Sequence, residues 1–243
     1  KRKLTVEYTN NPSWLMIQTL PTVSEYCNQS SLSLASAYYA TTISANILQS
    51  NPEIKKAIDS WTADNTSLLS NLQRNDELKS IVLSESPWML DAQDESGQKA
   101  LLATYYNKNN LSYKLSSINK LLAETQNADG SFSWWKGMRS STYVTTSVAT
   151  LLSRLSAYGY SNSDVETMLS KAMAYLDAAA TSRMHEMKKQ KQPSLSSVDL
   201  DYLYLCALTK AGETPTIKYF KSLLLKANRK VDIRTKAIAA IAL

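Results

Sequence analysis

Apolar positions recur at three- and four-residue spacing along most of the chain, the period of helices with one buried face. From about Leu32 to Leu48 they fall at Leu32, Ala35, Tyr38, Tyr39, Ile43 and Ile47. Asn11-Pro12 and Asn51-Pro52 each offer Asn as an N-cap and Pro at the first helical position. The first of these helices is expected to end at Pro21, and the second to carry Ile54, Ile58 and Trp61. Short helices are predicted at Leu68–Leu72 and Asp76–Leu83, with a break at Ser86-Pro87-Trp88. Longer ones follow at about Gly97–Asn107, Leu111–Thr125 and Thr142–Tyr158, the last closed by Gly159. Ser163-Asp-Val-Glu166 reads as a capping box opening a helix through Val165, Leu169, Met173 and Leu176. Leu195–Ala211 closes at Gly212, Thr214-Pro215 starts another helix, and Val231–Leu243 is the last. Before all of these, Leu4, Val6 and Tyr8 alternate with polar residues as a strand would, within residues 1–10. The predicted class is all-α, with about twelve helices and a short β-strand at the N-terminus.

Composition agrees: five glycines and six prolines in 243 residues leave mostly helix and short connections. No Pro/Gly/Ser linker exceeds a few residues, so no internal domain boundary is expected after the strand-like residues 1–10. The first residue is Lys1, and Lys236–Leu243 stops inside a helical pattern without a cap. A piece of a longer protein, truncated at the C-terminus, is expected. Net charge is +6, from 27 basic and 21 acidic residues. The one basic cluster, Arg183 to Lys191, has no interleaved aromatics, so it predicts a solvated helix end or loop and no nucleic-acid partner. Cys27 and Cys206 cannot establish a disulfide framework, and no stretch approaches the ~20 apolar residues of a membrane span.

Gln126 to Gly137 is the most specific stretch. Asn127-Ala-Asp129-Gly130 supplies a tight turn, because Asn and Asp bond back to their own backbone and Gly accepts positive φ. Phe132, Trp134 and Trp135 follow at once. This Gln-x-x-Asp-Gly-Ser-Phe-x-x-Trp run resembles the inter-helix turn of α/α-toroids, where the Gln and the aromatics pin one helical hairpin to the next. Gln126, Asp129, Gly130, Phe132, Trp134 and Trp135 are therefore expected to be architectural.

Further stretches resemble one family in order along the chain. Leu4 to Trp14 with Leu20-Pro21, Ser86 to Gln93, Gln126 to Gly137, Tyr143-Val-Thr145 and Asp201-Tyr-Leu-Tyr204 are similar to landmarks of the thioester domain of bacterial alpha-2-macroglobulins. The resemblance implies an α/α-toroid over 11–243 after a strand, 1–10, from a preceding β-domain, together with protease inhibition by entrapment and a periplasmic or envelope setting. The implied partners are neighbouring domains of the same longer chain and target proteases. The family's covalent step needs a Cys-x-Glu-Gln motif, whose thiol and side-chain carbonyl close an internal thioester. Aligning on Leu20-Pro21 and Tyr38-Tyr39-Ala40 puts Ser30, Leu32 and Ser33 at the Cys, Glu and Gln places. Aligning on Gln29 puts Tyr26 and Asn28 at the Cys and Glu places, while Cys27 and Gln29 lie only two residues apart. Neither register forms the thioester, so a non-covalent, mechanical role is expected.

Other toroid chemistry finds little support. Zinc chemistry would need Asp199, Cys206 and His185 to converge, and Asp199-x-Asp201 lacks the further acids of a carbocation-initiating motif. Asp91, Asp94 and Glu95 read as helix N-terminal charge. His185 lacks the partners of a nucleophilic triad, there is no Gly-rich phosphate loop, and nothing locates a lyase-type set among the fourteen tyrosines. No catalytic residue, metal or cofactor is expected. The alternative function is a peptide- or glycan-binding module of a cell-envelope protein.

Overall fold

A computed structural model of the chain describes residues 12–63, 97, 99–226 and 232–243. These form ten helices and no strand, an all-α fold. In chain order they are α1 (Pro12–Val23), α2 (Ser31–Ser50), α3 (Pro52–Ala63), α4 (99–105) and α5 (Lys108–Glu124). Then come α6 (Thr142–Ala157), α7 (Ser163–Met187), α8 (Ser197–Leu208), α9 (Pro215–Lys226) and α10 (Ile233–Ala242). The strand expected over 1–10, the helices at Leu68–Leu72 and Asp76–Leu83 and the break at Ser86-Pro87-Trp88 lie outside the described residues, as do Asp91, Asp94 and Glu95.

The chain divides into two compact units, Lys1–Glu25 with Ala40–Ser116, and Tyr26–Tyr39 with Ser117–Leu243. Two of the divisions fall inside α2 and α5, so no change of composition marks them.

In the first unit the core is Ile17, Ile58, Leu102, Ala103, Tyr106 and Leu111, with Ile54 and Trp61 packed against it. Pro21 does not end α1, contrary to the sequence expectation; the helix continues to Val23. Proline cannot donate to the carbonyl four residues back, which is that of Ile17. The Tyr106 phenol supplies the missing donor, 3.0 Å from the Ile17 oxygen. Burial, with the Tyr105 phenol beside it, holds Tyr106 far above the usual tyrosine range, so the hydroxyl stays protonated. The helix then stops through Ser24, whose N–H donates to Leu20 and whose hydroxyl donates to the Pro21 carbonyl.

Tyr106→Phe should therefore cost about 1–3 kcal/mol, the penalty of a buried carbonyl left unpaired. In a Pro21→Ala background the new Ala N–H can take that carbonyl, and the same substitution should cost less. Denaturant midpoints of the four chains measure this, and an equal cost in both backgrounds would refute it.

In the second unit α6 packs against both α7 and α8, and α8 packs on α10; α7 and α9 touch each other, and each also lies against α8. Leu152, Leu155, Leu176, Leu203, Leu205 and Phe220 are fully buried in this unit. α6 ends in a Schellman closure: Tyr160 N–H reaches Leu155 O, Gly159 N–H reaches Ser156 O, and Gly159 sits at φ +75°.

Two caps differ from expectation. Asn162, not Ser163, is the N-cap of α7, its side chain accepting from Val165 N–H at 3.0 Å. Glu166 instead accepts from the Ser156 and Ser161 hydroxyls. α8 stops at Leu208 rather than near Gly212, and Lys210 takes the left-handed place at φ +51°. Ala211 N–H to Cys206 O and Lys210 N–H to Ala207 O close the same Schellman pattern. The capping box lies at Ser196 and Asp199, at the start of α8.

Candidate functional site at the aromatic turn

The turn after α5 is built by local hydrogen bonds. Gln126 and Phe132 form an isolated antiparallel bridge, Asn127 N–H reaches Ser131 O at 2.8 Å, and Gly130 N–H reaches Asn127 O at 3.0 Å. The Gln126 amide donates to the carbonyls of Gly130 (3.0 Å) and Met168 (2.9 Å), so the turn is tied to α7. Asp129 accepts from the Ser131 hydroxyl (2.6 Å) and N–H (3.0 Å) and from the Ser140 hydroxyl (2.9 Å). These bonds, the Ser131 hydroxyl first, hold the exposed carboxyl below its usual range. Gly130 is at φ +86°, and a Cβ there would lie 2.3 Å from the Lys171 carbonyl oxygen. No other residue fits that position.

Phe132 is fully buried, its N–H donating to the Thr145 hydroxyl at 2.8 Å and its carbonyl accepting from Ser141 N–H. The two tryptophans behave differently. Trp134 and Trp135 are 41% and 47% exposed. Trp134 lies 6.3 Å from Trp135 and stacks at 6.1 Å on Tyr143, itself half exposed.

The thioester-equivalent segment meets this turn. Tyr26 is half-buried, Cys27, Asn28 and Gln29 are exposed, and Ser30 is buried. Asn28 Oδ1 accepts from Ser30 N–H at 3.0 Å. Ser30 in turn serves as the cap of α2: its Oγ accepts from Ser33 N–H at 3.3 Å and its carbonyl from Leu34 N–H at 2.9 Å. Leu32 and Ser33 are half-buried in the first turn. The join is made by Ser31, which the sequence reading did not single out. Its N–H donates to the Trp134 carbonyl at 3.0 Å and its hydroxyl to the Ser133 carbonyl at 2.5 Å. A lone serine among serines carries no signal that could have revealed this.

Ser31 thus ties the start of α2 to the turn through its main-chain N–H and its side-chain hydroxyl, while the Cys27 thiol of the same segment stays exposed. The only polar side chains at the Cys and Gln places of the first register are serine hydroxyls, and Ser30 Oγ is occupied as a cap. The residues weighed for metal or acid chemistry go elsewhere. Asp199 serves its capping box and faces Arg183 at 3.8 Å, Asp201 pairs with Arg234, and His185 is exposed near the end of α7. Cys206 is buried, which pushes its thiol up to about 11. Among the described residues no three His, Cys, Asp or Glu side chains gather as a metal site, and no helix is long and apolar enough to cross a membrane. Compared with protein-family models, curated proteins and solved structures, the chain matches none.

Proposed function

We propose that this chain is the thioester-type domain of a bacterial alpha-2-macroglobulin-like protease inhibitor that has lost its thioester. It acts as an α/α-toroid in non-covalent entrapment, in the periplasm or cell envelope. Its share is mechanical: it packs against neighbouring domains of the same longer chain and shifts when a target protease cuts a bait segment. Such a shift needs two packings only a few kcal/mol apart. One observation carries this function. The thioester-equivalent segment, Tyr26–Ser33, and the toroid-like turn, Gln126–Gly137, lie far apart in sequence yet are joined through Ser31 to Ser133 and Trp134.

The full-length parent mixed with a broad-specificity protease tests it. Activity kept on a small peptide but lost on a large protein substrate is expected. If both activities stay intact across protease classes, the inhibitor function fails.

Exposure of Trp134, Trp135 and Tyr143 favours a second function, a peptide- or glycan-binding module of an envelope protein. There the aromatic turn itself would be the contact surface.

A further inference from the structure

The first unit holds a cavity of about 840 Å³, lined by the end of α2, one face of α3 and the start of α5. Its floor is the outer surface of that unit's core: Ile58, Ala103, Tyr106 and Leu111 are all buried members of the core cluster. Leu48 and Leu115, both half-buried, extend the floor. The Tyr106 hydroxyl is spent on the Ile17 carbonyl, so the floor is essentially hydrocarbon. The rim is polar, and its cations are unpaired. Elsewhere on α3 and α5, Lys56 pairs with Glu53 and Lys114 with Glu25. Lys55 and Lys108, the two lysines of the lining, are exposed and form no ion pair among the described residues. Asp59 is the one acid of the lining, so the rim is net positive.

The volume is that of a small-molecule site, which typically spans about 300–1,000 Å³ with mostly apolar walls and a few placed polar groups. The lining selects the class of molecule. Tyr106 is its one aromatic residue, which gives a planar ring little to stack on and suits an aliphatic chain. In the first turn of α5, the N–H groups of Asn109 and Asn110 are taken by Asn107 Oδ1, and that of Leu111 by the Asn107 carbonyl. A phosphate therefore finds no main-chain cradle there. A carboxylate needs only an ammonium at the mouth, and lysine supplies that as a mobile point charge. We propose that this cavity binds an aliphatic monocarboxylate, the chemistry of a medium-chain fatty acid. The chain lies along Leu48, Ile58, Leu111 and Leu115, and the carboxylate meets Lys55 and Lys108 at the rim. The site rests on neither function proposed above, so failure of the protease assay leaves it intact.

Calorimetric titration of the 243-residue chain with decanoate at low salt tests this. Butyrate, with the same charge on a short chain, and decyltrimethylammonium, with the same chain and the opposite charge, are the comparisons. Decanoate should bind with a Kd below about 1 mM, and both comparisons far more weakly. Lys55→Gln and Lys108→Gln should each weaken binding about threefold, and together about tenfold, as exposed charges do. Ala45→Trp, at a half-buried place in the lining, fills the cavity and should abolish binding. Should it fail to fold by circular dichroism, Ser112→Trp replaces it from an exposed place in the same lining. No binding at about millimolar decanoate overturns the site. So does an affinity left untouched by the double lysine variant or by the tryptophan, or shared equally with either comparison. A loss confined to Trp134→Ala with Trp135→Ala also overturns it, and places the chain on the aromatic turn instead.

Discussion

Gly130→Ala is expected to destabilise the chain by about 3 kcal/mol or more, placing it among the costly single substitutions. Two costs combine. A side chain in the left-handed region costs about 1–2 kcal/mol. The added Cβ would also lie 2.3 Å from the Lys171 carbonyl oxygen, a main-chain atom of α7 that cannot rotate away. For a chain of this length each kcal/mol lowers Tm by about 2–4 °C, so a fall of about 6–12 °C should be seen. Gly137→Ala is the control. It has a similar φ of +82° but nothing within 4 Å of its Cβ, so it should show the conformational cost alone. If the two variants melt together, the close approach to α7 is not what demands glycine.

Phe132→Ala should cost about 3–5 kcal/mol, the transfer term plus the cavity left where a fully buried ring stood. Phe132→Leu should recover a large part of that loss, because it refills most of the volume. The main-chain bonds of residue 132 to Thr145 and Ser141 survive either change, so the loss reads packing and not hydrogen bonding. Denaturant unfolding measures both. A cost below about 1 kcal/mol for the alanine variant would mean that the ring does not anchor the turn.

How far the sequence could be read depended on where each partner sits. Helical periods and the Asn51-Pro52 start depend on neighbours within a few residues, and they emerge close to their expected places. The tight turn at Asn127–Gly130 is equally local, since Asp129 is satisfied two residues on and Gly130 declares its own φ. Pro21 was misread because its rescue comes from Tyr106, 89 residues away from the carbonyl it relieves. Locally, a proline that ends a helix and one that is tolerated look alike. At α7, Asn162 and Ser163 are both capping residues, and pattern cannot choose between neighbours. At α8 a lysine holds the left-handed place that glycine usually takes, so Gly212 drew the expectation. The candidate site was half legible. Each stretch stands out by itself, but Ser31 meets Ser133 across 102 residues through groups that every serine carries.

The contrast between the two thiols has a practical consequence. Cys206 is buried and far from its thiolate form, while Cys27 is exposed three residues before the cap of α2. A maleimide dye added near neutral pH should therefore mark one place in the native chain, with no engineered cysteine and no residue removed. That dye would sit close to where Ser31 is bound to Ser133 and Trp134, within energy-transfer range of the tryptophans there. The wild-type chain comes with its own attachment point for watching that junction open or hold.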